Sequence, residues 1–468
     1  MRGDVGFTHG IEKEIQVVKK DGTLEQDKED KAIRDFENIM KYVPDKYKEI
    51  INLPGSKKKE GYRQIWRDQG WPTQLEISTR PCFDFVSLRS DLENLSTIVS
   101  KACKKADLSL IASGANPISE PEVGEYFGEH HHIGIASDEE KIYVYNMLRC
   151  FTGELIALTV NSPVRKGRAY TQKSYRIGNN PAVGPPQGVP YLRELTEEDF
   201  GADPRQLDIT PFSNYPTVEI RFFDVQTSVC RSIGLAIILQ ALALKARRYL
   251  YKRKEIPEIS QDIIEHNRTY GIRAGLDAVF RSDKDIENRF AYHGKGITRL
   301  RAREALHHML EFIRPEIGEL TKNLSQDMIK KSLNPIFASI YPKNTTKDVR
   351  NQQGGTLADW QLTLLNNGID HLIEELANWT LKSSKFGVDP LLVDKDPSRI
   401  LMDYLGVAKK ELRFQPVKLL TPKEVKSTKV KRVYEGIVVE PPKGGPIKIF
   451  DVRPYRWTLR VTRIRQLS

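Results

Sequence analysis

The chain has 468 residues, of which 39% are hydrophobic and 29% charged, with a formal net charge of +11. These values describe a soluble globular protein able to bury a sizeable core, built as two or three domains or as one large catalytic domain with an appendage. They exclude a membrane span, because the most apolar stretch, Ile233 to Ala246, is too short for a bilayer and is broken by Gln240 and Lys245; with no signal-like opening, a cytoplasmic protein is expected.

In chain order, the first feature is Gly10-Ile-Glu-Lys-Glu-Ile-Gln, which sets Glu12 and Glu14 two apart among aliphatic residues. On a β-strand, residues i and i+2 face the same way, so the two carboxylates form a stripe. A charged insert comes next at 21–70, with a helical stretch in 21–49 and a basic, turn-rich loop at 54–61 whose Lys57–Lys59 could meet phosphates if it folded over a site. Gln74-Leu-Glu-Ile-Ser then repeats the two-residue spacing with Gln74 and Glu76. Leu88, Leu92, Leu95, Val99 and Ala102 recur at helical spacing.

His130-His-His-Ile-Gly puts His130 and His132 on one strand face and His131 on the other, where a structural role is expected. A helix is predicted over 141–158 and carries Arg149 in an apolar run, followed by Asn161-Ser-Pro, a turn signal, and by Arg176. Val218-Glu-Ile-Arg-Phe gives the fourth stripe, Glu219 with Arg221. Further helices are predicted at 228–252, 260–280 (with Asn267 and Arg273), 297–312, 356–381 and 397–412. The four cysteines are widely spaced without a C-x-x-C pair, which excludes a zinc ribbon or a redox motif and suits reduced, buried thiols.

The tail concentrates the charge: from Phe414 onward there are thirteen Lys or Arg against four acids. Its strand-like texture and Pro/Gly turn predict a small β appendage at 414–468, joined by a helical linker at 386–413 to a domain at 1–385. Its basic, aromatic-bearing end, with Arg456, reads first as a charged edge strand or an intersubunit strand, and secondarily as a nucleic-acid contact. A homo-oligomer stays open. The overall expectation is α+β, a largely antiparallel sheet with helices packed on its other side.

One polar stripe alone is usually the wet face of an antiparallel sheet. Four stripes almost confined to carboxylates, imidazoles and a guanidinium are different, because without a cation the carboxylates repel one another. They describe a surface for metal ions and phosphates. Mg²⁺ prefers carboxylate oxygen, which suits Glu12, Glu14, Glu76 and Glu219.

The motifs taken in succession resemble a known family. G-x-E-x-E at Gly10–Glu14, Q-L-E-I-S-T-R-P-C at Gln74–Cys82, F-G-x-H-x-H-x-G at Phe127–Gly134, N-M-L-R at Asn146–Arg149, Leu155–Pro163, Ser174–Arg176, V-E-I-R-F-F-D-V-Q at Val218–Gln226, Asn267–Ala278 and G-T-L-A-D-W-Q at Gly355–Gln361 keep the order of the carboxylate–amine ligases related to type 2 glutamate–cysteine ligase, a branch of the glutamine synthetase catalytic fold. The resemblance covers residues 5 to about 385 and leaves the tail outside.

It implies a concave sheet face as the site of ATP-dependent joining of an amino-acid carboxylate, such as the γ-carboxylate of glutamate, to an amine such as cysteine through an acyl phosphate. It further implies Glu12, His130 and Glu219 around one metal, Glu14 and Glu76 around another, and Arg221 and Glu219 as catalytic residues. His132, Arg221, Asn267 and Arg273 would lie toward the nucleotide, and Arg176, Arg149 and Asn161 toward the substrate. A histidine ligand suits Mn²⁺ better than Mg²⁺, so His130 could instead hydrogen-bond a phosphate oxygen. Two other readings stay open: phosphoryl transfer to a guanidino acceptor on a related fold, and a nucleotide-sensing protein that binds nucleic acid through its tail.

Overall fold

The computed structural model describes residues 8–19, 29–51, 62–67, 74–118, 126–179, 190–195, 207–211, 215–281, 299–342, 352–406, 436–439, 448–455 and 458–466. The basic loop at 54–61 and Arg456 lie outside the described residues. The chain divides into one unit from Met1 to Leu405 and a second from Gly406 to Ser468.

The first unit is organised by a seven-stranded sheet in which every pairing is antiparallel. Its strands are β1 (His9–Lys19), β2 (Ile65–Arg67), β3 (Gln74–Ser78), β4 (Leu108–Ile111), β5 (Gly128–Gly134), β8 (Ile209–Thr210) and β9 (Thr217–Asp224), in the order β2-β3-β1-β5-β9-β8, with β4 pairing the far end of β1. The short strands β6 (Val164–Arg165) and β7 (Arg168–Ala169) form a separate hairpin. Odd-numbered residues of β1, among them Ile11, Ile15 and Val17, enter the main core. Even-numbered Glu12, Glu14 and Gln16 occupy the other face.

Helices α1 (Glu29–Met40), α2 (Phe85–Lys105), α3 (Asp138–Cys150), α4 (Thr152–Thr159), α5 (Tyr175–Asn179) and α6 (Val229–Tyr251) come in turn. The apolar run that the sequence made too short for a bilayer sits within a longer helix, α6, which by length and composition could cross one, but 89% of its apolar window is buried inside the protein. That burial makes α6 a core helix of the first unit. Ser228 caps its start by accepting a hydrogen bond from the Arg231 amide. All four cysteines are free and buried.

Helix boundaries depart from the sequence expectation where local geometry breaks a periodic run. The helix predicted over 141–158 is two, α3 and α4, interrupted at Phe151. That predicted over 260–280 is α7 (Gln261–Ala274), and the chain then turns into β10 (Val279–Arg281), which pairs with β11 (Arg299–Arg301). Helix α8 (Ala302–Thr321) outlasts its predicted end, and α9 (Gln326–Ile340) completes a pair with it. The stretch expected over 356–381 is α10 (Leu357–Leu365) and α11 (Ile369–Lys382), separated at Gly368, whose φ of +102° no L-residue adopts comfortably. Helix α12 (Ser398–Tyr404) docks by a hydrogen bond from the Tyr404 hydroxyl to Leu310 O. In the second unit, β12 (Gly436–Val439), β13 (Lys448–Tyr455) and β14 (Thr458–Gln466) form an antiparallel meander.

Candidate active site

Strand register brings the four stripes together. Glu14 stands opposite Glu76, Glu12 opposite both Ser78 and His130, and His132 opposite Gly10 and Glu219. The β5–β9 pairing steps from Glu129↔Phe223 to His131↔Ile220, so Arg221 and Phe222 together oppose His130. This bulge keeps Glu219 and Arg221 with the histidines while Phe223 turns to pack edge-on against His131 on the far side.

The polar atoms converge closely. His130 Nδ1 lies 3.5 Å from Glu12 Oε2 and 3.7 Å from Glu219 Oε1, and its Nε2 is 3.9 Å from Glu14 Oε1. His132 Nε2 lies 3.4 Å from Glu12 Oε1 and 3.9 Å from Glu219 Oε1. Arg221 pairs with the Glu219 carboxylate, and the Gly128 amide donates to Glu14. Ser78 Oγ donates to Glu76 at 3.0 Å. Thr217 Oγ1 sits 3.3 Å from His132 Nδ1 and Tyr215 packs edge-on to the ring, which leaves Nε2 toward the carboxylates.

Burial and neighbouring charge set the protonation of these groups. Burial alone would raise the Glu12 carboxyl, yet His132 and His130 outweigh it and hold Glu12 well below the usual range. Glu219 is lowered in the same way, burial being outweighed by Arg221 and the two imidazoles. Burial lowers His132, but Glu12 and Glu219 lift it above its ordinary value. Glu76 has no such help: burial, then Glu12 and Glu14, push it well above the carboxylate range. A cation beside it would reverse that shift.

The donor set fits a divalent ion. One ligand atom each from Glu12, His132 and Glu219 lie within 4.8 Å of one another, and the buried Nε2 atoms of His130 and His132 have no hydrogen-bond partner. Glu14 and Glu76 form a second carboxylate pair on adjacent strands. The sequence expectation put His130 among the ligands and His132 toward the nucleotide. The geometry gathers His132 with Glu12 and Glu219, with His130 packed between them and Glu14.

The remaining predicted residues fall elsewhere. Arg176 is buried beneath β9, donating to Phe223 O and Arg221 O at 3.1 and 3.0 Å, so it shapes the backbone that carries Arg221. A Cβ on Gly128 would stand 2.2 Å from its Nη2, so any larger residue there displaces the guanidinium. Arg149 donates to Ile259 O and to Gln261, at the start of α7. Asn161 is fully buried and bonds Ala112 O, Val225 O and the Gln361 side chain, fixing the end of β9. Asn267 hydrogen-bonds both backbone groups of Arg281, and Arg273 is exposed beside the Tyr270 ring. These side-chain hydrogen bonds of Arg149, Asn161 and Asn267 run to backbone and amide groups of neighbouring elements, outside the four stripes.

A second polar layer lies on the opposite face, of which the sequence reading picked out only His131. His9 Nε2 is 2.8 Å from His131 Nδ1, and Gln240 Nε2 is 3.0 Å from His9 Nδ1. His131 Nε2 is 3.1 Å from Glu129, whose other oxygen accepts from Ser232 and lies 3.6 Å from Lys13 Nζ. The signal was present, since His9 and Lys13, like Glu129 and His131, also alternate at i+2 or i+4.

Comparison with known proteins agrees with this architecture. The profile of glutamate-cysteine ligase family 2 matches residues 123–325. A putative glutamate–cysteine ligase 2 of Roseiflexus sp. (strain RS-1) is 24% identical over 412 residues, 80% of this chain and 95% of its own length. The putative glutamate–cysteine ligase 2 of Chloroflexus aurantiacus (strain ATCC 29366) is 26% identical over 62% of this chain and 78% of its own length. Among solved structures, a bifunctional glutathione synthetase from Pasteurella multocida superposes with a TM-score of 0.50 at 12% identity, covering 95% of this chain and 59% of that one, which is a likeness of fold.

Proposed function

We propose, for a chain that belongs to the carboxylate–amine ligase family related to type 2 glutamate–cysteine ligase, that it joins an amino-acid carboxylate, first of all the γ-carboxylate of glutamate, to an amine such as cysteine with hydrolysis of ATP. The observation that carries this reading is the convergence of Glu12, Glu14, Glu76, His130, His132, Glu219 and Arg221 from four strands on one sheet face. A carboxylate does not acylate an amine in water at neutral pH, so it must be activated. Its oxygen attacks the γ-phosphorus of ATP, ADP leaves, and an acyl phosphate forms; the amine nitrogen then attacks the acyl carbon, phosphate leaves, and a proton is lost.

Divalent cations held by Glu12, His132 and Glu219, and by Glu14 with Glu76, would supply the positive charge that lets two anions meet. The chain's own contribution is positioning. Arg221, anchored by its pairing with Glu219, presents its remaining guanidinium donors to the transferring phosphoryl group. Thr217 and Tyr215 fix the His132 ring, and the Gly128 amide fixes Glu14.

Incubating the purified protein with ATP, Mg²⁺ and glutamate, with and without a panel of amines, tests this. ADP release should require both glutamate and an amine. Release with a guanidino acceptor alone would replace the ligase by a phosphotransferase.

A further inference from the structure

The site stripe on β1 does not end at Glu14. Gln16 is the next residue on that face, bracketed in register by Gln74 of β3 on one side and Ile111 of β4 on the other. Exposure falls along the stripe, from 26% for the Glu12 side chain to 13% for Glu14 and 0% for Gln16. Beyond Gln16 the face is apolar: Val18 and Ile111 pack with Leu372, Ile373 and Leu376 of α11. Gln16 therefore lies at the closed inner end of the acidic row. Both its amide atoms, Nε2 and Oε1, are buried without a hydrogen-bond partner. Among the buried side chains described, no other amide has both atoms unbonded.

An unsatisfied buried donor and acceptor side by side are costly, and such a pair persists where something else completes it. Resting on the ligase reading above, we propose that the Gln16 amide is the recognition point for the amino-acid end of the carboxylate substrate. Its Nε2 donates to the substrate α-carboxylate and its Oε1 accepts from the α-ammonium, while the distal carboxylate reaches back toward Glu14 and Glu76. The spacing suits this, because successive same-face residues of a strand are about 6.6 Å apart, the reach of a short aliphatic chain. Gln74, opposite Gln16 and 2% exposed, forms the side wall. An acid lacking either α group leaves half of the amide unpaired, and a site built to hydrogen-bond a group rejects analogues without it.

The test is calorimetric titration of the full chain, with Mg²⁺ and a non-hydrolysable ATP analogue bound, using L-glutamate, glutarate (no α-ammonium) and γ-aminobutyrate (no α-carboxylate). The wild-type protein should prefer glutamate to both analogues. In Gln16→Leu that preference should fall by about tenfold or more, with affinity for the ATP analogue unchanged and the melting temperature equal or higher, since an unpartnered buried amide has been removed. Gln16→Met gives the same reading should the leucine variant not fold. An unchanged preference in the variant, as expected if the amide holds only an internal water, overturns the proposal, and so does a wild-type protein that does not prefer glutamate. The ligase reading fails separately, by absence of amine-dependent ADP release from the wild-type protein.

Discussion

Glu219 pairs with Arg221, faces His130 and His132, and is held ionised although nearly buried. Glu219→Gln keeps its shape and removes its charge, so turnover should fall by about 10²-fold or more while thermal unfolding changes little; near-normal turnover would take Glu219 out of the site. Arg221→Lys replaces a planar fork with a point charge, and kcat should drop steeply with the fold intact. Normal kinetics in that variant would make Arg221 structural. These residues were readable from sequence because strand alternation is local: two residues two apart share a face whatever the rest of the chain does. Asn161 and Arg176 were harder, because the groups that decide their role, the carbonyls of Val225 and Phe223, lie 64 and 47 residues away in the chain.

At the level of strands and helices, the two central site strands, β1 and β5, are fastened from behind. Glu129 meets Lys13 of β1, His131 of its own strand, Ser232 of α6 and the Gln226 amide. The two partners of the buried pair are unequally served: burial lowers Lys13 despite Glu129, whereas for Glu129 the attraction of Lys13, His131 and Ser232 outweighs burial. The lysine is thus the poorly compensated member. Glu129→Gln should cost about 3–5 kcal/mol by stranding it, and Lys13→Met should cost clearly less, because the carboxylate keeps its other donors; equal losses in denaturant titrations would refute the asymmetry.

Asp224, at the end of β9, is pushed up by burial to about 6 from 3.8, although Arg176, Asn161, Ser162 and Ser174 oppose the shift. A raised carboxyl favours the folded state only while protonated, so its contribution is full below about pH 3.8 and is lost as pH rises through about 6. Denaturation midpoints measured from pH 4 to 7 should fall less in Asp224→Asn than in the parent. No local pattern marks this cluster, since Asp224 reads as an ordinary strand end until Asn161, Ser162 and Ser174 fold over it.

On the scale of the whole chain, every residue assigned to the site lies in the unit from Met1 to Leu405. A protein ended after Gly406 should therefore keep amine-dependent ADP release, and a large loss in a shortened but folded chain would contradict that assignment. The α+β class and the antiparallel sheet were legible, because the stripes dictate strands and the long apolar periodicities dictate helices. The exact breaks were not: Phe151 and Gly368 interrupt runs whose hydrophobic spacing continues across them. The basic tail holds most of the excess positive charge, and composition could mark it as separate without saying what it does.

The two-against-one step opposite His130 limits how this protein can be edited. Changing Arg221 or Phe222 alters one side chain, but removing either shortens β9 by a residue and restores an even pairing. Because Ile220 already stands opposite His131 and Glu219 opposite His132, an even pairing keeps both on their present faces and changes only the local twist and the residue that faces His130. A deletion of Phe222 should therefore leave Glu219 in the carboxylate row, whereas a deletion of Ile220, outside the step, would turn Glu219 to the core face.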